Sequence, residues 1–517
     1  MGERSFCSLL ERFIRESGHT NFSFAKATGI NRVNIQRYVS GGRVPSRPVF
    51  EQIRANLNLN RQEQRTFTEQ YLLAFYGEDF YFQRKAIREI LERTADMSAV
   101  EPELTEKNGE ASPAVSTIRG RVAVERFVWS RLCEALKTEP EVHACVYIPA
   151  EACELNRLVP AADPEGNPAG GRLKIVQLVQ LVKRADAVGF RYHNLRVLNN
   201  LMPYYFQAGS DYETYFYYHN YPVMDGNNGL LYPYYVIFEG AVILLSADLE
   251  KAVSISGREA EQRFREDFME RLSGAEPFAK YYSTAEEMLA HVLRIDNQAG
   301  ERCFLEYQPC FAVWAGRELV EQVVAQGIPR REELIEGFMK RTRQLADGSR
   351  FFHYFTEEGI WEFVRTGICA DYPREYTRPL TVKERLAILE QIRASVEKEE
   401  GELGIVDSKN LMLTKRLNVF ASGGCGLNLI LYDERLGYRY LLIRENSLCR
   451  AFAEYIESMR ENGDVCSKER NLEILEECIA SLKAELAADA KVPDANVFET
   501  KVSEAKAFET KASENGR

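Results

Sequence analysis

Residues 22–45 read FSFAKATGINRVNIQRYVSGGRVP, and this stretch decides the fold of the amino-terminal part of the chain. Gly29 predicts a sharp turn between two short helices, because glycine adopts positive φ at little cost. Ala25 is small enough for those helices to cross closely. Asn31 is a suitable N-cap for the second helix, which Gly41 ends. The pattern therefore predicts two short helices joined by a tight turn.

The second of these helices has an apolar side and a polar side. Ile35 and Tyr38 are spaced i, i+3, so they lie on one side and are expected to face a core. At about 100° per residue, Val33 and Arg37 project to the opposite side. That side and its flanks offer guanidinium groups suited to guanine edges, amides suited to adenine edges and a valine suited to a thymine methyl. The five residues concerned are Arg32, Val33, Asn34, Gln36 and Arg37.

The segment resembles the helix-turn-helix of the phage-repressor-like (Xre) family of DNA-binding domains. That family has a small residue in its second helix, a glycine at the turn, and apolar residues at the turn and in the third helix. A glycine ends the third helix and a proline follows shortly after. The positions that match this pattern without a gap are Ala25, Gly29, Ile30, Ile35, Tyr38, Gly41 and Pro45. The resemblance covers residues 5–76, a region read as short helices, and implies an all-α repressor-like head.

The resemblance also implies how this head contacts double-stranded DNA. The family sets the first turns of the third helix in the major groove. The implied base-reading residues are Arg32, Val33, Asn34 and Arg37. The expected contacts to the DNA backbone are Asn21, Lys26, Gln36 and Arg43. Asn21 starts the second helix, and a helix N-terminus favours an anion.

One feature departs from the family pattern. The second helix opens with Asn21-Phe22-Ser23, where a polar run containing Gln or Glu is more usual. Two consequences are open for Phe22: it weakens the contact with the DNA backbone, or it extends the core of the head.

Charge is divided unevenly along the chain. Residues 1–75 contain eleven Lys and Arg against six Asp and Glu, a net charge of +5. Since the whole chain carries −11, the remainder carries −16. A cationic head on an anionic body is expected when only one end of a protein meets a polyanion.

Composition restricts the class of protein. A hydrophobic fraction of 45% excludes wholesale disorder, and no run of about 18 apolar residues predicts a membrane span. The start of the chain lacks the plan of an export signal. The 11 cysteines are scattered without a CxxC pair, so reduced thiols are expected, with neither a metal site nor a cofactor. These features predict a soluble, cytoplasmic protein.

The rest of the chain divides into further segments. A helical extension, 77–95, precedes a Pro-, Gly- and acid-containing linker, 96–117, which is expected to tether the head flexibly. Two α+β domains are expected over 118–295 and 296–462. A last amphipathic helix, 463–487, is followed by a tail, 488–517, in which FETKxSE occurs twice and for which disorder is expected.

The body contains one pattern twice. Residues 234–245 predict a hairpin of two buried strands followed by a helix at about 257–273. Residues 427–443 predict a second hairpin, followed by a helix at about 446–460. Two related hairpin–helix units are therefore expected. They resemble the phospholipase D-like sensor halves of some regulators, although the HxKxxxxD motif of that chemistry is absent.

Weaker patterns in the body have ordinary structural interpretations. The aromatic stretch 203–238 can line an effector pocket, but sheet core and subunit interface are favoured. The glycines at 423–426 lack the P-loop pattern and predict a turn. His143 with Cys145, or Cys310 with His353, lacks the third group of a catalytic thiol site, so buried structural cysteines are favoured.

Together these observations predict a cytoplasmic transcription regulator that is not an enzyme. A homodimer is expected to bind two half-sites of a DNA operator, with the body binding a small-molecule or peptide effector. Two alternatives remain open at this point. One is an enzyme or defence effector whose head only regulates its own operon, and the other is a protein-interaction scaffold.

Overall fold

The structure has a helical amino-terminal part followed by a body of helices and two mixed sheets. This computed structural model describes residues 5–93, 115–148, 172–183, 192–208, 211–219, 231–287, 302–346 and 351–489, apart from 283, 285, 371, 373, 375, 414–416, 423–425 and 434–436. Predictions for most of the linker, for the tail from 490 onward and for the glycine turn at 423–425 concern residues outside these ranges. No helix within them is both long and apolar enough to cross a lipid bilayer.

The head is a bundle of five helices around an aromatic core. Its helices are α1 (Phe6–Glu16), α2 (Asn21–Thr28), α3 (Arg32–Val39), α4 (Arg47–Ala55) and α5 (Arg61–Tyr76). Phe50 stacks on Tyr71 with ring centroids 3.7 Å apart, and Phe6 and Phe67 pack around them. Because these rings are buried and come from α1, α4 and α5, they fix the frame on which α2 and α3 lie.

The body contains an eight-stranded sheet formed by its first half. Its strands are β1 (Val115–Arg119), β2 (Glu141–Tyr147), β3 (Arg172–Val182), β4 (Tyr212–His219), β5 (Tyr234–Phe238), β6 (Ala241–Leu245), β7 (Lys251–Ser256) and β8 (Glu276–Pro277). Their order is β1-β7-β6-β5-β2-β3-β4-β8. The helices of this half are α7 (Arg121–Thr138), α8 (His193–Ala208) and α9 (Arg258–Ser273).

The second half of the body contributes a seven-stranded sheet. Its strands are β9 (Ala279–Tyr282), β10 (Arg302–Glu306), β11 (Phe351–Thr356), β12 (Glu402–Val406), β13 (Leu417–Ser422), β14 (Gly426–Asp433) and β15 (Gly437–Ile443). Their order is β12-β11-β10-β13-β14-β15-β9. The helices are α10 (Arg317–Val323), α11 (Arg331–Ala346), α12 (Glu357–Thr366), α13 (Val382–Lys398), α14 (Asn446–Glu457) and α15 (Lys468–Asp489).

The two sheets share one topology. In the first, β2, β3 and β4 are parallel neighbours, and the antiparallel strands β5, β6 and β7 continue from the other side of β2. In the second, β10, β11 and β12 are parallel, and β13, β14 and β15 continue from the other side of β10. Each series is followed by a helix, α9 or α14. Both predicted hairpins are present, within a longer shared strand order.

The predicted boundary at 295/296 does not separate the sheets. β9 lies before it in the chain, yet β9 pairs antiparallel with β15 in the second sheet. The chain leaves the first sheet after β8 and enters the second at β9, with only the buried Phe278 between them. Sequence patterns do not show which sheet a four-residue strand joins, because that choice depends on a partner about 160 residues away.

A sixth helix, α6 (Glu78–Arg93), fixes the head to the body. Ile87, Ile90 and Leu91 are buried in the same core as the strands of both sheets. The Asp464 carboxylate, which is 0% exposed, pairs with the guanidinium groups of Arg84, at 2.6 Å, and Arg88. The prediction for 96–117 treats that segment as a flexible tether of the head, whereas α6 already contacts the body before the segment begins. Residues 115–117 of the predicted linker also lie in β1.

Replacing the buried carboxylate tests this attachment. Asp464→Ala is expected to lower the free energy of unfolding by about 3–5 kcal/mol, because it removes the counter-charge of a buried guanidinium. Glu473→Ala is the matched control, since Glu473 pairs with Arg470 on the surface and the expected loss is below about 1 kcal/mol. Denaturant titration of the full chain measures both losses. Equal losses in the two variants would contradict a buried anchor at Asp464.

Candidate nucleic-acid interface

Helix α3 presents its polar side to solvent. Ile35 and Tyr38 are buried in the core of the head, as the i, i+3 spacing predicts. Val33 is 56% exposed although it is apolar, and Arg37 is also exposed. The core contacts of two residues thus set the rotation of α3 about its axis, and that rotation turns the opposite side outward.

Local hydrogen bonds hold α3 in place. The Asn31 side-chain oxygen accepts from the backbone N–H of Val33 at 2.8 Å, which confirms the predicted N-cap. Gly29 ends α2 with φ of +70°, a conformation that favours glycine. The Gln52 amide of α4 donates to the carbonyl of Thr28 at 2.6 Å. The turn between α2 and α3 is therefore tied to both helices and to α4.

All eight residues predicted to contact DNA lie in or next to α2 and α3. Six are exposed and two are half-buried. The exposed ones are Lys26, Arg32, Val33, Gln36, Arg37 and Arg43, and the half-buried ones are Asn21 and Asn34. Arg43 lies four residues after the end of α3, and its backbone N–H donates to the carbonyl of Arg37. The six exposed side chains are therefore accessible to a ligand.

The arginines of this surface differ from other arginines of the head in their described ion pairs. Elsewhere in the head Arg12 pairs with Glu16, and Arg54 pairs with Glu51. In the described part of the chain, no carboxylate lies within ion-pair distance of Arg32, Arg37 or Arg43. Exposed guanidinium groups that have no ion-pair partner among the described residues are suited to a polyanion.

The structure decides whether Phe22 belongs to the core of the head, a question that the sequence left open. It lies in the first turn of α2 and is 61% exposed, so it does not extend the core. The Arg32 guanidinium lies over its ring, 5.6 Å from the centroid. In the sequence, Phe22 was notable because α2 does not begin with the usual polar run. Its contact with Arg32 across the turn could not be predicted, because that contact depends on the three-dimensional arrangement of the two helices.

The members of the candidate thiol pairs in the body have other described neighbours. His143 binds Glu141 at 2.8 Å, and Arg265 is near the Cys145 sulfur, at 3.4 Å. Burial raises the pKa of the Cys145 thiol, which disfavours the nucleophilic thiolate. Among the described residues, no group of three or more His, Cys, Asp or Glu is placed to hold a metal ion.

The second candidate pair and the aromatic stretch also serve packing. His353 is fully buried, bonds Glu306 at 2.6 Å and stacks on Trp314. The Cys310 sulfur lies 3.8 Å from the Tyr372 hydroxyl. Most aromatic residues described between 203 and 238 belong to the core of the body. Two tyrosine hydroxyls form a polar contact in this region. The oxygens of Tyr147, on β2, and Tyr217, on β4, lie 2.7 Å apart.

Comparisons with known proteins add little to this geometry. No protein-family model matches the chain, and no curated protein matches it. Among solved structures, phosphatidylserine synthase from Haemophilus influenzae Rd KW20 aligns over 73% of this chain and 94% of its own, with 10% identity and a TM-score of 0.21. So low a TM-score does not define a shared fold.

Removing the N-cap of α3 tests the local order of the interface. Asn31→Ala is expected to destabilise α3 by about 1 kcal/mol, because the amide N–H of Val33 loses its acceptor. Hydrogen exchange should then be about fivefold faster for the amides of α3 than in the parent chain. Gln36→Ala, a change on the exposed side of α3, should leave these rates nearly unchanged. Equal exchange in Asn31→Ala and the parent would contradict the capping role.

Proposed function

We propose that this protein is a sequence-specific, double-stranded-DNA-binding transcription regulator whose head is a repressor-like helix-turn-helix domain. The observation that carries the proposal is the rotation of α3, which buries Ile35 and Tyr38 and leaves Arg32, Val33 and Arg37 outside. The second support is the absence of ion-pair partners for the arginines of this surface among the described residues. A helix of this kind fits the major groove, which is about 12 Å wide.

The exposed side chains suit the edges of base pairs. The guanidinium groups of Arg32 and Arg37 can each donate two hydrogen bonds to guanine O6 and N7. The Asn34 amide matches the donor and acceptor of adenine, and Val33 matches a thymine methyl. The residues around them suit phosphate oxygens, which position a protein without reading sequence. These residues are Asn21, Lys26, Gln36 and Arg43.

The body is proposed to dimerise and to sense an effector. α6 contacts both halves: the Tyr192 hydroxyl of the first half donates to the carbonyl of Glu78 at 3.3 Å, and Asp464 of the second half holds Arg84 and Arg88. We propose that the halves, which share a strand order, are related units. A small molecule or peptide that shifts one half against the other would therefore move the head.

Replacing the arginines of α3 tests the base contacts. Arg32→Ala and Arg37→Ala are each expected to cost about 1–3 kcal/mol of binding and to relax preference at one base position. Genomic DNA fragments that the full chain binds are first selected. The full chain is then titrated with short duplexes derived from these fragments, each carrying one base change. Arg12→Ala, which removes the same charge from α1, is the control and should keep the preference. Equal weakening by Arg32→Ala or Arg37→Ala on every sequence would contradict base reading.

Half-site spacing tests the proposed dimer. Because α6 fixes each head to its body, the two heads of a dimer cannot turn independently. Inserting five base pairs, about half a helical turn, between half-sites is expected to reduce affinity to that of a single half-site. A spacer of the original length with five altered bases is the control and should bind as before. Unchanged affinity after the insertion would contradict a fixed spacing.

A further inference from the structure

The exposed ring of Phe22 is positioned by the same turn that positions α3. Phe22 lies in the first turn of α2 and Arg32 in the first turn of α3. Gly29 ends α2 and Asn31 caps α3, so the beginnings of the two helices have a fixed relative position. Contact between the ring and the guanidinium is therefore a product of the helix-turn-helix geometry.

The chemistry of this contact differs from that of an ion pair. A cation within about 6 Å of an aromatic centroid is attracted by the negative face of the ring. The ring restrains the guanidinium but does not neutralise its charge. It also accepts none of the hydrogen bonds that the planar group donates around its rim. An acidic partner would hold Arg32 equally well and would consume the donors needed for guanine.

We propose that Phe22 is a positioning residue for Arg32, holding its guanidinium over the start of α3 so that its donors meet a guanine in the major groove. This inference rests on the proposed DNA binding and specifies how that surface selects a base. The conformational entropy of the Arg32 side chain is already reduced before DNA binds. Less entropy is therefore lost on binding, and this preorganisation increases affinity. The effect is confined to the base position that Arg32 reads.

A double-mutant cycle in the full chain tests this role. The variants are Phe22→Leu, which keeps an apolar side chain without the ring, Arg32→Ala, and the two combined. The probe is a duplex taken from genomic fragments that the full chain retains, and the same duplex changed at the guanine assigned to Arg32. Phe22→Leu is expected to weaken binding to the parent duplex about two- to fivefold and to leave binding to the changed duplex unaltered.

The combined variant distinguishes positioning from direct contact. If Phe22 acts through Arg32, Phe22→Leu has no further effect once Arg32 is alanine, and Phe22→Trp retains parent affinity. Phe80→Leu makes the same chemical change at a 55% exposed position on α6 and should leave binding unchanged. Thermal unfolding of Phe22→Leu should match the parent, since the side chain lies outside the core.

Two results overturn the inference in different ways. In the first, the losses of affinity from Phe22→Leu and Arg32→Ala add in the combined variant, or Phe22→Leu causes no loss. Either outcome would show that the ring does not act through Arg32, and DNA binding itself would stand. Failure of the parent chain to retain any duplex would overturn the proposed function and this inference with it.

Discussion

The burial of Ile35 and Tyr38 is the constraint on which the functional interpretation depends. Two core contacts, three residues apart, leave a short helix only one rotation about its axis. In that rotation Val33 and Arg37 project away from the head, and Arg32 lies beside them at the start of the helix. Apolar packing thus determines which polar groups of α3 face solvent. The cap at Asn31 and the turn at Gly29 determine where α3 begins.

The anchoring of α6 extends this constraint from the head to the whole molecule. A fully buried aspartate is costly to desolvate, and its pairing with Arg84 and Arg88 fixes the position of α6 on the body. Arg47 of α4 also passes close to Gly463, 3.3 Å from where a Cβ would lie, so the head and the body touch outside α6 as well. The head is therefore attached to the body both through α6 and through this contact of α4.

Sequence reasoning succeeded where structure is local. Gly29, the cap at Asn31 and the core positions of α3 follow from contacts within a few residues, and the hairpins β5–β6 and β14–β15 follow from apolar runs broken by a turn. It failed where partners are remote. Arg84 and Arg88 look like solvent-exposed charges on a helix, and their pairing with Asp464, 380 and 376 residues away, identifies them as an anchor. The contact between the Phe22 ring and Arg32 likewise depends on how the turn places two separate helices.

The central claim is that the outward side of α3 lies against base pairs. The most direct measurement is a structure of the full chain bound to a duplex recovered from the genomic fragments it retains. The account predicts α3 in the major groove, with Arg32 and Arg37 within hydrogen-bond distance of base edges and the ring of Phe22 still under the guanidinium. A complex in which DNA contacts another surface, or in which a protein partner covers α3, would contradict it.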